Sequence, residues 1–375
     1  MSREHEFLDQ VDRIAREEVA RDAAEVDREA RFPAAAIAAL GQAGLLGLIS
    51  AREVGGLGLG LRAAAQTVER LARECGSTAM VVCMHYAATA VIEKLGPEPV
   101  RRDIAAGKHL TTLAFSEAGP RSQFWAPLST ATPRDGTIRL TARKSWATSA
   151  HAAHSYVWSS KPVAAAGAST LWLVPAGIPG LRVDPGFDGL GLRGNDSCGI
   201  TAEDAAIDPA ARLGDDGGGF AIMLEQVLPW FNVMAAACSI GLAEAATART
   251  AEHAAGTRFT HADGSIADLP TARAYLARMR ITTDMARGLW LDTLDAIEAG
   301  RPDAVLRVLE VKAGAGDAVA AVVDLGMRVA GGAAYRRELA VERYFRDARA
   351  GLVMAPTSDV LYDFIGKAMC GLPLF

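Results

Sequence analysis

The chain has 375 residues, half of them hydrophobic, which is enough for one large core or two to three packed domains. Its formal net charge of -5 gives no electrostatic footprint for nucleic acid or for an anionic membrane surface. Its five cysteines are widely spaced and contain no CxxC pair, which argues against a zinc site and against a disulfide framework.

The charged N-terminal residues and the longest apolar stretch both indicate a cytoplasmic protein. The first ten residues, MSREHEFLDQ, are charged where a secretory signal would carry an apolar core. The longest apolar stretch, AAAIAALGQAGLLGLIS, is short, is broken by glycine and contains Gln42, which is typical of a buried helix and not of a membrane span. We therefore expect a cytoplasmic location, with neither a membrane nor nucleic acid as a partner.

Three kinds of sequence follow each other along the chain. Residues 1–110 place apolar residues at helical spacing, as in EFLDQVDRIAREEVARDAAEV. Residues 111–215 change to short β-rich runs, such as TTLAFSE and STLWLVPAG, separated by Gly, Pro, Asn and Asp. Residues 216–375 return to long helical patterns, for example SIGLAEAATARTAEHAAG. This order predicts an α+β fold: an N-terminal all-α domain, a small antiparallel β-barrel or sandwich, and a C-terminal α-helical domain.

The usual nucleotide-binding and hydrolase motifs are missing from the sequence. No alternation of strands and helices is present, and GGLGLGL at 55–61 lacks both the GxGxxG spacing and a preceding strand. Neither a Walker loop nor a GxSxG elbow occurs. Any chemistry must therefore come from a site built between domains.

Two motifs of the middle region carry a resemblance to a known family. AFSEAGPRS (114–122) ends a predicted strand in a loop with two hydroxyls, and KSWATS (144–149) sets a Trp beside a Thr. Here the sequence resembles the acyl-CoA dehydrogenase family of flavoproteins, whose Thr-Glu-Pro loop ends in Gly-Ser and is followed by a Trp-x-Thr strand. GLGLRGNDSCGITAEDAAIDPAARLG (189–214) and RVAGGAAYRRELAVERYFRDAR (328–349) extend the resemblance over essentially the whole chain. It implies a helical N-terminal domain, a β-barrel and a C-terminal four-helix bundle.

The resemblance also implies FAD as the cofactor, together with a set of contacts for it. Those cofactor contacts are Ser116, Ser122, Trp146, Thr148, Arg258, Phe259, Arg328, Gly331, Gly332, Thr357 and Asp359. By resemblance, Ser116 takes the place of the family's first threonine at the flavin pyrimidine edge, and Ser122 meets the pyrophosphate. Trp146 stacks against the flavin while Thr148 donates a hydrogen bond toward N5, where the hydride arrives.

A second set of these contacts implies an oligomer. In the family, the segment that matches Gly331 and Gly332 reaches a dinucleotide from a neighbouring subunit, and glycine lets the backbone approach closely. We therefore expect a homo-oligomer, either a dimer or a tetramer. Arg328 stands where the family often has Gln, and Phe259 matches the adenine-side aromatic. The usual arginine before that aromatic is replaced by glycine, with Arg258 as the nearby substitute.

The segment RDARAGLVMAPTSD (346–359) departs from the family pattern. Many members carry, at the position of Ala355, the glutamate that removes the α-proton of the thioester. A smaller branch of the family keeps its base at a position that falls around Phe231 or Asn232 in this sequence. Neither of these residues is an acid. Pro229 lies in that same stretch and should kink or break the helix. The resemblance thus implies a rebuilt acyl pocket and leaves the catalytic residues open.

Four other residues are candidates for a relocated base, each with a structural alternative. Glu225 and Asp363 are more typical of charges on a helix surface, Asp359 of a cap or a flavin ribityl contact, and His85 of a hydrogen-bonded core histidine. Arg258 and Arg328 have the same alternative, because exposed arginines are mostly solvated.

Three functions remain open at this point. The first is desaturation of an acyl thioester, carried by CoA or an acyl carrier protein, by hydride transfer to flavin N5, with an electron-transfer flavoprotein as partner. The second is a flavin-dependent monooxygenase of the same fold, which uses a C4a-hydroperoxyflavin, acts on another small molecule and depends on a flavin reductase. The third is a flavin-binding homologue without turnover. We favour the first because it is the commonest in the family, although the missing acid favours the second.

Overall fold

The N-terminal part of the computed structural model, which describes residues 3–119, 123–261 and 263–374, is helical as the periodicity predicts. Its helices are α1 (Arg3–Ile14), α2 (Ala20–Arg28), α3 (Ala34–Gln42), α4 (Leu61–Glu74), α5 (Gly76–Leu95) and α6 (Glu98–Ala105). A π-helical turn, Ala15–Val19, joins the first two. Helix α5 is buried along nearly its whole length because GSTAMVVCMHYAATAVI presents no charged face. It forms the centre of this part of the molecule.

The middle part consists of two four-stranded sheets. Its strands are β1 (Thr111–Ala114), β2 (Thr130–Arg134), β3 (Thr137–Ala147), β4 (Ser155–Ser160), β5 (Thr170–Pro175), β6 (Leu181–Val183), β7 (Cys198–Ile207) and β8 (Arg212–Leu213). One sheet has the order β1-β4-β5-β8 and the other β2-β3-β7-β6. Buried Trp158, Trp172, Leu140 and Ile200 belong to the core cluster of this part.

The predicted antiparallel barrel needs correction in two respects. Strand β1 pairs with β4 in parallel, from Thr111 opposite Ser155 to Ala114 opposite Trp158, whereas the other pairs are antiparallel. Among the strands of the described ranges, no ladder joins the two sheets into a closed barrel. The reason is topological: the chain crosses to the second sheet after β1 and returns after β3, so β4 pairs beside β1 in the same direction.

The C-terminal part is again helical. Its helices are α7 (Gly219–Ile222), α8 (Leu228–Gly256), α9 (Pro270–Glu298), α10 (Ala304–Ala330), α11 (Val341–Ala348), α12 (Ala350–Val353) and α13 (Ser358–Met369). The segments Gly219–Gly256 and Ala304–Tyr335 are long and apolar enough to cross a membrane by length and composition alone. However, 78% of the apolar window of the first is buried within the protein, as in a core helix. This helix shares one continuous core with α4 and α5 of the N-terminal part.

Pro229 does not break the helix, contrary to the expectation from sequence. It lies in the first turn of α8, directly after a π-helical turn at Met223–Val227, and helical structure continues from Gly219 to Gly256. A proline removes the N–H that would bond to the carbonyl four residues earlier and crowds that carbonyl. The wider π-helical turn accommodates this loss, so the distortion is local.

Candidate flavin site

The end of β3 presents an exposed indole on an irregular strand. The pairing of β3 with β7 shifts register between Lys144 and Ala147, and Trp146 takes the left-handed φ of 59°. Its side chain is 68% exposed, while Thr148 two residues later is buried. The indole meets Phe187 only edge-on, with ring centroids 6.3 Å apart and planes at 89°. A strained backbone that holds a large aromatic face open is typical of a ligand site.

The loop after β1 lies directly beside this strand. The backbone N–H of Ser145 donates to the carbonyl of Ser116 at 2.9 Å, and the backbones of Glu117 and Lys144 form an isolated antiparallel β-bridge. The structure therefore brings Ser116 next to Trp146, as the resemblance implies. Ser122 lies outside the described residues.

A buried ion pair fixes this loop to β3. The Lys144 ammonium donates to Glu117 Oε1 at 2.6 Å and to the Ser159 carbonyl at 2.7 Å. The Glu117 carboxylate also accepts from the Leu128 N–H at 2.7 Å and from the Ser129 hydroxyl. Burial lowers the pKa of Lys144 to about 8, against the opposing effect of Glu117. Burial alone would raise the pKa of Glu117, but Lys144 holds it below its usual value, so we describe the two groups as an ion pair.

Sequence reasoning missed this pair, although the sequence contained a signal for it. In β3 the alternate positions Ile138, Leu140, Ala142 and Lys144 are all buried. A lysine in phase with the apolar side of a strand indicates a buried partner, because an unpaired ammonium is costly to bury.

A polar turn holds the segment that follows Thr148. The Asp196 carboxylate accepts from the backbone N–H of His151 at 2.7 Å and is 2.7 Å from His151 Nδ1. Cys198 Sγ lies 3.5 Å from the same carboxylate. The three ligand-type atoms lie within 4.8 Å of one another, but hydrogen bonds already join them. We therefore interpret this trio as a structural anchor for the turn.

The second group of predicted contacts lies at one end of the helical bundle. Phe259 forms a short hairpin, in which its N–H donates to the Gly264 carbonyl at 3.1 Å. Val329, near the end of α10, packs in a cluster with Ala254 and Ala272 and so lies beside this hairpin. The members of the group are Arg258, Phe259, Arg328, Gly331 and Gly332.

This second group is open to solvent in the single chain. Gly331 has a φ of 55°, which favours glycine, and an added Cβ there or at Gly332 would meet no atom within 4 Å. Arg258 is exposed, whereas Arg328 pairs with Asp324 at 3.1 Å. Within the described ranges, no ring contact joins this group to Trp146. In the single chain, the predicted contacts thus form two separate groups.

Ala355, which the resemblance matches to the family's glutamate, lies in the segment after α12. Ala355 and Met354 are partly buried and pack against the large helical core. Thr357 immediately precedes α13, and Asp359 is exposed in its first turn. The other positions considered for a base, Phe231 and Asn232, are buried. Asn232 Nδ2 donates to the Val308 carbonyl of α10 at 3.0 Å, so this amide joins two helices.

Among the candidates for a relocated base, His85 and Asp363 have the surroundings that their structural alternatives describe. His85 is fully buried, with Nε2 3.0 Å from the Leu46 carbonyl and Nδ1 accepting from the Thr111 N–H. Burial lowers the pKa of His85 to about 4. Asp363 pairs with Lys367 at 2.9 Å on the surface of α13. Glu225 and Asp359 are exposed. Both ring nitrogens of His85 are occupied, which argues against its use as a base.

Comparison with known proteins identifies the family. Models of the N-terminal, middle and C-terminal domains of acyl-CoA dehydrogenases match residues 2–107, 112–205 and 217–370. The bovine mitochondrial short-chain specific acyl-CoA dehydrogenase is 28% identical over 366 residues, which cover 95% of this chain and 87% of that protein. The chain belongs to the acyl-CoA dehydrogenase family. It is an oxidoreductase of the acyl-CoA dehydrogenase type, and the three-part architecture predicted from sequence is confirmed.

Solved structures show the same fold. Butyryl-CoA dehydrogenase from Megasphaera elsdenii superposes with a TM-score of 0.91 at 21% identity, covering 99% of this chain and 98% of that one. PigA, solved as an FAD complex, superposes with a TM-score of 0.90 at 19% identity, covering 99% and 98%. The predicted domain boundaries at 110/111 and 215/216, and the roles of individual residues, stay predictions.

Proposed function

We propose that the protein binds FAD against the exposed face of Trp146 and oxidises an acyl thioester. The observation that carries this proposal is the open indole at the irregular end of β3, next to buried Thr148 and the loop of Ser116. An aromatic ring of this size buries a large apolar area when a planar ligand stacks on it. Family membership and the FAD complex of PigA support FAD as that ligand.

The residues present fit an isoalloxazine and its dinucleotide. Trp146 offers a stacking face, the Thr148 hydroxyl a donor toward N5, and the Ser116 hydroxyl a second polar contact, toward the pyrimidine edge. Bound flavin would supply a two-electron acceptor for the α,β-bond of the substrate. The chain's own residues would orient the flavin and keep water from its face.

The two separate groups of predicted contacts, one around Trp146 and one around Phe259, support a homo-oligomer, either a dimer or a tetramer. The group of Phe259, Gly331 and Gly332 is open in the single chain, and it carries the close-approach glycines that a dinucleotide needs. In the proposed assembly, this group of one subunit would meet the adenosine end of the FAD held at Trp146 of another. Arg328 would have to leave Asp324 in order to contact a phosphate.

The proposed reaction is desaturation of an acyl thioester carried by CoA or an acyl carrier protein. Reoxidation would require an electron acceptor, for which an electron-transfer flavoprotein is the chemical class. We propose the cytoplasm, a reducing compartment, for this activity, because all five cysteines are free thiols.

One observation favours a second candidate, a flavin-dependent monooxygenase. Among the described residues, no acid stands at Ala355, Phe231 or Asn232, and His85 is enclosed in the core. Oxygen insertion needs no base at the α-carbon, but it needs reduced flavin from a partner reductase. A general base contributes about 10²- to 10⁴-fold in rate, so its absence argues against desaturation of an acyl thioester.

Anaerobic reduction separates the two candidates. Purified protein reconstituted with FAD is mixed with a series of acyl thioesters while the flavin absorption band is followed. Bleaching by a thioester alone supports dehydrogenation. Bleaching only with a flavin reductase and NAD(P)H, followed by substrate-dependent oxygen uptake, supports oxygenation. Bound flavin that responds to neither treatment leaves a binding role.

A further inference from the structure

A buried lysine lies beneath the segment that carries Ala355. Lys312 of α10 has only 2% of its surface exposed. Its ammonium donates to the carbonyls of Gly351 at 3.2 Å, Met354 at 3.0 Å and Pro356 at 2.8 Å. An ammonium has three N–H donors, so each is matched to one backbone acceptor. These three acceptors lie within six consecutive residues, on both sides of Ala355.

Burial of this charge is compensated almost entirely by the segment itself. Among the described residues, no carboxylate lies within 4.0 Å of the Lys312 ammonium. The centroid of the Phe231 ring lies 6.0 Å from the ammonium. An ammonium that leaves water without hydrogen-bond partners costs far more than a neutral side chain. Lys312 therefore has a strong preference for the conformation of the segment in which the three carbonyls converge.

A small cavity also lies beside the ammonium. Its volume is about 10 Å³, and its lining includes Lys312, Gly351, Met354 and Asp347. The rest of its lining is mostly apolar.

 Met354 and Ala355 pack against the helical core, and the ammonium binds the carbonyls of Gly351, Met354 and Pro356. The segment is thus attached both by apolar packing and by three hydrogen bonds to one charged donor.

We infer that Lys312 is a positioning residue, whose ammonium gathers the carbonyls of residues 351–356 and thereby holds Ala355 and Thr357 in place at the flavin site. This inference rests on the proposed function for its consequence at the flavin, because Thr357 is a predicted cofactor contact. The clamp itself rests only on the three hydrogen bonds and the burial of Lys312.

The surroundings of Lys312 favour a readily perturbed charge. Burial lowers the pKa of Lys312 to about 7, and the nearby Cys83 thiol of α5 opposes this effect slightly. The other titratable groups that line the cavity are Asp347 of α11 and Cys238 of α8. A neutral amine has only two N–H donors, so deprotonation would leave one of the three carbonyls without a partner.

Hydrogen exchange and FAD titration of Lys312→Met test the inference. We expect the amides of residues 351–357 to exchange about 10- to 100-fold faster, because bonds to a charged donor are lost. We also expect the Kd for FAD to rise about 10-fold, since Thr357 is no longer held. Lys312→Gln, which keeps two N–H donors, should give a smaller change in both. Lys108→Met, at an exposed lysine, is the matched control and should change neither.

Each outcome decides the matter. Unchanged exchange of residues 351–357 in Lys312→Met overturns the clamp, and so does an equal increase throughout α8 and α10, which would indicate general destabilisation. Faster exchange with an unchanged Kd for FAD overturns the positioning role at the flavin. If wild-type protein binds no FAD, the proposed function fails while exchange still tests the clamp. If Lys312→Met does not fold, the same two readouts on Lys312→Gln apply.

Discussion

The middle-domain side and the helical side of the candidate site differ in how many residues match the family pattern. On the middle-domain side, Trp146, Thr148 and Ser116 retain the aromatic face and the hydroxyl donors that the family resemblance implies, and a buried ion pair fixes them. On the helical side, Ala355 offers no acid, and Phe231 and Asn232 are built into the core. The predicted cofactor contacts and the predicted position of the base lie on different parts of the chain, so each needs its own test.

Restoring an acid at Ala355 should produce the largest effect. We expect Ala355→Glu to raise thioester desaturation by about 10²- to 10⁴-fold, because a positioned general base contributes that much. Anaerobic bleaching rates of the bound flavin measure it. Ala355→Gln is the matched control, since it has the same size and no basic carboxylate. Equal rates in both variants, with flavin content unchanged, would show that Ala355 does not face the reacting carbon.

Removing the buried cation of the middle domain should destabilise the platform itself. Lys144→Met leaves Glu117 buried without its partner, which costs about 3–5 kcal/mol of unfolding free energy. Urea denaturation measures this change, and Lys161→Met at an exposed lysine serves as the control. A loss below about 1 kcal/mol would place the pair among weak ion pairs and remove it as the support of the flavin loop.

The acid dependence of stability tests whether His85 belongs to the core. Its folded-state pKa of about 4 lies below the unfolded value near 6.5, so the unfolded chain binds more protons between these values. Stability should therefore be complete above pH 6.5 and fall as the pH drops toward 4, by at most about 1.4 kcal/mol per pH unit from this group. His85→Gln should have a shallower slope in unfolding experiments across that range. An identical slope would contradict a neutral, buried His85.

The sequence predicts the broad architecture because the signals for it are local. Helical spacing before residue 110, short β-rich runs after it and helical spacing again from 216 are properties of each segment alone. The Trp-x-Thr motif is likewise local, and Trp146 lies among the last residues of β3 with Thr148 directly after the strand. The parallel pairing of β1 with β4 could not be predicted, because it depends on where the chain crosses between sheets.

Contacts between distant segments account for the rest of what sequence reasoning missed. Lys312 donates a hydrogen bond to the carbonyl of Pro356, which lies 44 residues later in the sequence. No local sequence pattern predicts that its ammonium contacts these carbonyls. The local chemistry of Pro229 predicts a kinked or broken helix. The helix continues because the preceding π-helical turn accommodates the missing N–H. Burial of Lys144 was accessible in principle, since it is in phase with the apolar side of β3.

Titration with FAD tests the central claim most directly. The flavin should bind to the wild-type protein and show a perturbed absorption band, and Trp146→Ala should weaken binding about 10-fold or more, since an aromatic pair is worth about 0.5–1.5 kcal/mol beyond the area it buries. Met285→Ala, at an exposed apolar residue on α9, should leave the Kd unchanged. Wild-type protein that stays colourless with excess FAD, or equal affinity in Trp146→Ala, would contradict the account.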